Sequence, residues 1–258
     1  MKILVGIKQV PDTESKIKIG SDGRSLDESG VKWILSPYDE YALEQALLIR
    51  EAGEGEVVLV SAGPERAQAI RQGLAMGADR AVLVKDDRYD RADGLTRAKA
   101  LAAVARAENA ELILLGKYGV GTDEGQTGPM LAELLGWPHV SAITKLELGG
   151  DGFTAEREIE GATEVQQGTF PAVLTCEKGL NEPRYPSLKG IMQAKKKPVD
   201  SKTPDELGLD PAELEQPRLI WEAMELPPAR SVGRLIEGQP EDAARELARL
   251  LREEAKVI

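Results

Sequence analysis

The segment GKYGVGTDEGQTGP, residues 116–129, has the composition of a loop that binds an anion. It contains five glycines, follows the apolar run ELILL and precedes the helix-forming sequence MLAELLG. A glycine-rich backbone presents N–H groups to a phosphate, and the dipole of a following helix strengthens that binding. Gln126 and Thr127 stand at the start of this helix, where an amide and a hydroxyl could reach phosphate oxygens.

The same composition is also typical of a flexible surface connection. The segment matches neither G-x-G-x-x-G nor G-x-x-x-x-G-K followed by Ser or Thr in the context that those motifs require. Composition alone therefore leaves both interpretations open.

Other small and polar residues follow the apolar runs that resemble buried strands. The first run leads into Gly6, Ile7 and Lys8, the second into Ser61, Ala62 and Gly63, and the fourth into Gly116 and Lys117. In open α/β sheets a ligand binds at the carboxyl ends of the strands, so these residues are expected to meet in one crevice. Small residues there would let a flat ring system approach the backbone. The sequence predicts a site for a mononucleotide.

A second candidate site is NEPRYPSLKGIMQAKKK, residues 181–197. It combines two prolines, the apolar residues Leu188, Ile191 and Met192, and a run of three lysines. An apolar residue on a loop beside basic charge suits transient docking onto an acidic partner. A solvated run of charge at the end of a loop is the alternative interpretation.

The chain has one cysteine, Cys176, and one histidine, His139. These counts exclude a disulfide framework and a Cys/His zinc site, and we predict no metal site. Cys176 lies in the apolar run PAVLTCE, which is typical of a buried core residue. We interpret His139 as structural, and we predict no catalytic residue.

The elements that must position these residues alternate between strand and helix over residues 1–136. The runs KILVGIKQV, EVVLVSAG, RAVLVKD and ELILLGK are typical of strands buried on both faces of a parallel sheet. Helices are predicted from Pro37 to Arg50, from Pro64 to Met76, from about Asp93 to Asn109 and over GPMLAELLG. This alternation predicts a doubly wound α/β fold with a mostly parallel sheet.

The pattern changes after Pro138. SAITKLEL, GFTAEREIE and ATEVQQGTF alternate in polarity and are separated by turn sequences, which predicts antiparallel hairpins, and PAVLTCE predicts one more buried strand. Residues 181–230 contain no long periodic segment and are expected to form an extended arm. The last residues, EDAARELARLLREEAKVI, predict an amphipathic helix.

The formal charge of −11 argues against a broad nucleic-acid surface. The start MKILVGIKQ is too short and too β-branched for a signal peptide, and no window approaches 18 uninterrupted apolar residues. We therefore expect a cytoplasmic protein with no membrane insertion and no nucleic-acid partner.

Several stretches in order along nearly the whole chain resemble the β subunit of electron-transfer flavoprotein. They are KILVGIKQVPD, SPYDEYALEQAL, GLAMGADRAVLV, GQTGPMLAELLGWP, EREIEG and, most distinctively, LNEPRYPSLKGIMQAKKK. The resemblance implies a heterodimer with an α subunit that holds most of a redox-active FAD. It also implies a Rossmann-like domain in this chain that buries an AMP.

The resemblance further implies which residues of this chain form the sites. The residues that would contact the nucleotide are Gly6, Ser36, Pro37, Tyr38, Asp39, Ala62, Gly116, Lys117, Asp123, Glu124, Gly125, Gln126 and Thr127. The partner-recognition loop would contain Arg184, Tyr185, Pro186, Ser187, Leu188, Lys189, Gly190, Ile191, Met192 and Gln193, with Leu188 as the anchor for acyl-CoA dehydrogenases. Glu164 matches an acidic residue that orients the mobile FAD domain of the α subunit.

On this basis residues 1–180 are expected to be the nucleotide-binding domain, with its core in 1–136 and the hairpins in 137–180. Residues 181–230 would be the recognition loop and arm, and residues 231–258 a helix that packs on the partner subunit. The expected function is that of an electron carrier, not an enzyme, in fatty-acid oxidation. It would pass electrons from flavin dehydrogenases toward a membrane quinone reductase.

Two other functions remain as alternatives. A bifurcating relative would hold a second FAD in place of AMP and take hydride from NADH, but such relatives tend to have DGDTAQVGP where this chain has TDEGQTGP. A nucleotide-binding module of the universal-stress type shares the α/β architecture and would bind ATP as a homodimer. The long segment after residue 181 and the C-terminal helix disfavour that module.

Overall fold

The structure, a computed structural model, describes residues 1–53, 55–64, 67–229 and 233–258. The chain divides into two compact units, Met1–Met224 and Glu225–Ile258. Residues 65 and 66 of the second predicted helix, and the predicted boundary between residues 230 and 231, lie outside the described residues.

The first unit is built on an open sheet. Within the described residues it has nine strands in the order β11-β5-β4-β1-β6-β10-β7-β8-β9, and β2 and β3 form a separate antiparallel pair. The strands are β1 (Lys2–Gly6), β2 (Gln9–Pro11), β3 (Trp33–Leu35), β4 (Glu56–Gly63), β5 (Arg80–Lys85), β6 (Leu112–Gly116), β7 (His139–Gly149), β8 (Gly152–Ile159), β9 (Ala162–Thr169), β10 (Ala172–Cys176) and β11 (Val199–Lys202). All pairs from β11 to β7 are parallel, and β7, β8 and β9 pair antiparallel. The predicted fold class is confirmed.

Helices cover both faces of this sheet. Among the described residues of the first unit, the helices are α1 (Pro37–Ala52), α2 (Ala67–Met76), α3 (Gly94–Glu108), α4 (Thr127–Leu135), α5 (Leu188–Ala194) and α6 (Pro211–Glu215). The second unit contains α7 (Pro240–Glu253). Two short 3₁₀ helices span Asp87–Arg91 and Asp205–Leu207. The side chain of Asp93 caps α3 by accepting a hydrogen bond from Thr96 N–H, and Gly136 ends α4 in the left-handed conformation that favours glycine.

Alternate residues of the buried strands enter two separate cores. Ile3 and Val5 pack with Leu43 of α1, whereas Leu4 packs on the other face with residues of α3 and α4, such as Leu131. All of these side chains are at most 2% exposed. Burial on both faces explains why these strands are continuous apolar runs, which is the pattern that predicts them.

The structure differs from the predicted elements at two places. The run KILVGIKQV is not one strand, because the N–H of Lys8 donates to the Asp39 side chain instead of continuing the sheet. In addition, Val199–Lys202 adds a parallel strand beside β5 within the segment expected to be an arm. An edge strand needs no continuous apolar run, and the sequence VDSK therefore gives no strand signal.

Candidate functional site

A cavity of about 1020 Å³ lies where β1, β4 and β6 end. This is the place where open α/β sheets bind ligands. Nine of the predicted nucleotide contacts line it, namely Gly6, Asp39, Ala62, Gly116, Lys117, Glu124, Gly125, Gln126 and Thr127. Four others, Ser36, Pro37, Tyr38 and Asp123, do not line it. The strand ends therefore converge as predicted, while the start of α1 lies mostly behind the cavity wall.

Ser36 shows how the start of α1 is placed. Its N–H donates to Lys8 O at 2.9 Å, which ties the helix start to the chain that leaves β1. The residue occupies the predicted N-cap position, but its side chain makes no capping hydrogen bond. Its hydroxyl oxygen is buried with no hydrogen-bond partner among the described residues.

Asp39 joins the ends of two strands. Its Oδ2 accepts from the N–H of Lys8 at 2.7 Å, and its Oδ1 accepts from the N–H of Gly116 at 3.1 Å. Burial raises the pKa of this carboxyl to about 7, although the two N–H groups act in the opposite direction. Asp39 thus fixes the exits of β1 and β6 on the floor of the cavity.

Gly116 is required by close packing. A Cβ atom there would lie 2.6 Å from Asp39 Oδ1 and 2.7 Å from two atoms of Tyr38. No side chain fits at such distances, so only glycine lets α1 approach the end of β6 this closely.

The glycine-rich loop has a defined hydrogen-bonding pattern. The N–H groups of Thr122 and Asp123 donate to Gly119 O at 3.2 and 3.0 Å, and Lys8 Nζ donates to Thr122 Oγ1 at 3.1 Å. Gly121 and Gly125 have positive φ angles of 92° and 64°, which favour glycine. The glycines therefore allow the loop to adopt a defined fold, and the loop forms one wall of the cavity.

Aromatic side chains hold the start of this loop against α1. The hydroxyls of Tyr38 and Tyr118 lie 3.2 Å apart, and their rings pack edge to face at 4.6 Å between centroids. Lys117 Nζ lies over both rings and forms an ion pair with Glu177. Tyr38 thus supports the loop from outside the cavity.

The start of α4 faces the cavity without a side-chain cap. Gln126 occupies the N-cap position, and its side chain makes no capping hydrogen bond. The first N–H groups of a helix have no partner within the helix, and here they belong to Thr127 and Gly128. Together with the helix dipole, these N–H groups give the helix start a partial positive charge that suits an anion such as phosphate.

Several cavity residues are not among the predicted nucleotide contacts, although Lys8 is expected in the crevice from its place after the first strand. Lys8 follows β1 and Arg97 lies in α3, and both bring positive charge to the lining. Trp33 and Trp221 line another part of the same cavity. Lys8 has a signal in the sequence, since it follows a buried strand; the others come from a helix, a short strand and a loop whose positions depend on tertiary packing.

Hydrogen bonds to the side chain of Asp93 hold the loop that contains Trp221 in place. The N–H groups of Arg218 and Leu219 donate to Asp93 Oδ2 at 2.5 and 3.2 Å. Asp93 therefore caps α3 with one oxygen and fixes the segment before Trp221 with the other.

The single cysteine is buried in the core, as predicted, and the single histidine is hydrogen-bonded through both ring nitrogens. Cys176 is fully buried, and burial raises the pKa of its thiol. His139 Nδ1 lies 2.9 Å from Val173 O, and Nε2 lies 2.9 Å from Ser141 Oγ. Burial lowers the pKa of His139.

The predicted recognition segment, residues 184–197, comprises the predicted partner-recognition loop and the lysine run, and it is held against α1 and α2. Arg184 pairs with the buried Glu44 at 2.8 Å and with Glu51 at 2.6 Å, so its guanidinium is used inside the molecule. Ser187 caps α5 by accepting from Gly190 N–H at 3.0 Å, and Gly190 packs directly against Ala75 O of α2.

The apolar residues of this segment point to solvent. Leu188 is 82% exposed, and Tyr185, Ile191 and Met192 are exposed as well. The three lysines of the run differ in their exposure to solvent. Lys195 and Lys196 are exposed, but Lys197 Nζ donates to Leu74 O and Ala78 O at the end of α2.

Glu164 lies on β9, the outer strand of the antiparallel extension. Its carboxylate pairs with Arg157 of β8 at 3.1 Å and stays partly exposed. The structure thus places it outside the cavity and outside the recognition segment.

Comparison with known proteins gives the family. Residues 24–207 match the model of the electron transfer flavoprotein domain. The chain belongs to the electron transfer flavoprotein family. It is 42% identical to the electron transfer flavoprotein subunit beta of Bacillus subtilis, with both chains fully covered. The mitochondrial subunit beta of Arabidopsis thaliana is 40% identical, also over both full chains, and the Homo sapiens subunit beta is 38% identical over 92% of this chain and 93% of the relative.

Membership in the electron transfer flavoprotein family as a β subunit implies a role in electron transfer. It also implies association with a flavin and pairing with an α subunit. The family match favours this role over a universal-stress-type module. Among the described residues, no helix has both the length and the apolar character needed to cross a membrane.

Proposed function

We propose that this subunit holds AMP in its cavity while the α subunit holds most of the FAD. In this proposal the heterodimer takes electrons from flavin dehydrogenases of the acyl-CoA dehydrogenase type and passes them toward a membrane quinone reductase. This subunit itself supplies no catalytic residue. The observation that carries the proposal is the uncapped start of α4, which faces a cavity walled by the glycine-rich loop.

The surroundings of that helix start suit a nucleoside monophosphate. Thr127 and Gly128 would offer N–H groups to the phosphate, while Gly6, Ala62 and Gly116 leave the backbone open to a flat base. AMP would act here as a structural ligand. It binds the folded state only, and would therefore stabilise it by mass action.

We further propose that the recognition segment docks the dehydrogenase and that Glu164 orients the mobile FAD domain of the α subunit. Leu188 supports the first assignment because an 82% exposed leucine on a fixed short helix suits a docking anchor. Glu164 supports the second because its carboxylate stays partly exposed on an outer strand.

A bifurcating flavoprotein with a second FAD in this subunit is the second candidate. Its support is the size of the cavity, about 1020 Å³, which is at the upper end of the range for small-molecule sites. The cavity also extends to Trp33 and Trp221, whose rings suit contact with a second ring system.

Release of the bound nucleotides distinguishes the two candidates. The heterodimer is purified, denatured with acid, and its soluble nucleotides are separated and quantified. We expect about one flavin and one AMP per dimer. Two flavins and no AMP would contradict the proposal and establish the second candidate.

A further inference from the structure

Three charged side chains from different elements line the cavity and interact electrostatically with one another. Lys8 follows β1, Arg97 lies in α3, and Glu124 lies in the glycine-rich loop. All three are half-buried. These three groups are close enough to act on one another electrostatically, and Asp39 and Asp90, which also line the cavity, act on Lys8 and Arg97 respectively.

The two cations are held by neutral oxygen atoms. Lys8 Nζ donates to Thr122 Oγ1 at 3.1 Å, and Arg97 Nη2 donates to Tyr89 O at 3.3 Å. Burial lowers the pKa of both groups, and the charge of Arg97 lowers that of Lys8 further. Two cations in a poorly solvated space favour the binding of an anion.

Glu124 places a carboxylate at the meeting point of α3 and α4. A Cβ atom on Gly94, the first residue of α3, would lie 3.7 Å from Glu124 Oε2 and 3.6 Å from Thr127 Oγ1. The negative charge of Glu124 also acts on both Lys8 and Arg97. The carboxylate thus borders the helix start that would hold a phosphate.

We propose that Lys8 and Arg97 bind the phosphate of the nucleotide, and that Glu124 is an internal anion that competes with this phosphate for the two cations. The inference rests on the proposed AMP site and names its phosphate contacts. A phosphate monoester carries a charge of about −1.5 to −2 and three acceptor oxygens, so it binds two cations better than a carboxylate does. Glu124 then limits the affinity for AMP.

A different role for Glu124 predicts the opposite effect. In dinucleotide-binding folds an acidic residue accepts hydrogen bonds from ribose hydroxyls. If Glu124 did this, its removal would weaken the binding of AMP and of adenosine alike. Competition with phosphate instead predicts stronger AMP binding and no change for adenosine, which has no phosphate.

The test uses the complete heterodimer, freed of AMP by dialysis and titrated calorimetrically with AMP and with adenosine. We expect Glu124→Gln to raise the affinity for AMP about tenfold, or about 1.4 kcal/mol, because one negative charge that acts on both cations is removed. Its affinity for adenosine should not change. Glu215→Gln is the matched control, because Glu215 also lines the cavity but pairs with Arg88 at its rim.

Arg97→Gln should lower the affinity for AMP by about ten- to a hundredfold, as expected for loss of a hydrogen bond to a charged group. Arg97→Lys keeps the charge and should retain most of the affinity, and flavin content reports folding of each variant. Weaker or unchanged AMP binding by Glu124→Gln, or unchanged binding by Arg97→Gln, would overturn the inference while leaving the AMP site intact. If the wild-type dimer binds no AMP, the proposed function itself fails, and this inference with it.

Discussion

At the scale of single residues, two buried aspartates beside the cavity have pKa values that are shifted in opposite directions. Asp39 and Asp93 are each 6% exposed, and both accept backbone N–H groups. Burial raises the pKa of Asp39 to about 7. Burial also acts against ionisation of Asp93, but N–H groups from the start of α3 and from residues 218 and 219, together with the Thr96 hydroxyl, lower its pKa.

Asp39 is expected to make stability depend on pH near neutrality. Because its pKa is higher in the folded state than the ordinary value near 4, the folded state holds the proton more tightly, and the stability from this group is lost as pH rises through about 7. The loss amounts to a few kcal/mol at about 1.4 kcal/mol per pKa unit. We therefore expect the free energy of unfolding of the wild type, minus that of Asp39→Asn, to fall between pH 5 and pH 8, as measured by urea unfolding of the heterodimer.

Asp93→Asn is the matched control for this prediction. The lowered pKa of Asp93 means that its stabilisation is present above its unfolded pKa near 4 and is lost only as pH falls below that value. The stability difference between wild type and Asp93→Asn should stay constant between pH 5 and pH 8. A constant difference for Asp39→Asn as well would refute the raised pKa of Asp39.

At the scale of elements, the parts that can be predicted from sequence are those fixed by local pattern. The strands β1, β4, β5 and β6 are buried on both faces, and their apolar runs predict both the sheet and the edge where the cavity lies. Gly6, Gly63 and Gly116 stand at the ends of these runs, so the same pattern places them at that edge.

What the sequence cannot supply is the position of residues that enter the site through packing. Arg97 looks like any polar helix residue until α3 packs beside α4. Trp221 lies in a segment with no regular structure, which is held by hydrogen bonds to Asp93 over a separation of 125 residues. The edge strand β11 has no apolar run because it pairs with β5 alone.

The predicted recognition segment is held against the first two helices of the fold by side-chain contacts. Arg184 binds α1, and Arg71 of α2 donates to Ala194 O at 3.0 Å at the end of α5. These contacts fix α5 at both ends, while Leu188 at its start stays exposed. A preformed anchor lowers the conformational cost of docking.

Replacing Leu188 with Ala should slow electron transfer from the dehydrogenase and leave the heterodimer intact. Loss of most of a buried leucine contact at an interface costs at least about 1.4 kcal/mol, or about tenfold in affinity. The measurement is the rate at which the flavin is reduced by a reduced acyl-CoA dehydrogenase at subsaturating concentration, with dimer mass and flavin content as checks.

Leu148→Ala is the control for surface apolarity, because Leu148 is an exposed leucine on the hairpin strand β7. It should leave the reduction rate unchanged. If Leu188→Ala reduces the rate no more than Leu148→Ala does, docking occurs elsewhere on the molecule.

At the scale of the whole molecule, residues 233–258, which form most of the second unit, contain no buried side chain. The helix α7 of this unit spans 14 residues, and none of them is buried in the described structure. Leu247, Leu250 and Leu251 lie on its apolar side, and Leu247 is 48% exposed. Isolated helices shorter than about 12 to 15 residues are marginal in water, so α7 needs a partner surface. Family membership implies pairing with an α subunit, and we propose that this subunit supplies the surface for α7.

Replacing Leu247 with Ala should therefore weaken the heterodimer. Burial of a leucine side chain contributes about 1.5–3 kcal/mol, so its truncation should raise the dissociation constant of the α and β subunits at least about tenfold. Sedimentation of the purified heterodimer across a dilution series measures this constant. Arg245→Ala is the control on the same helix, since the Arg245 side chain is exposed and its ion pair with Asp242, at 3.7 Å, lies at the surface. Equal dissociation constants for the two variants would mean that the apolar side of α7 does not contact the α subunit.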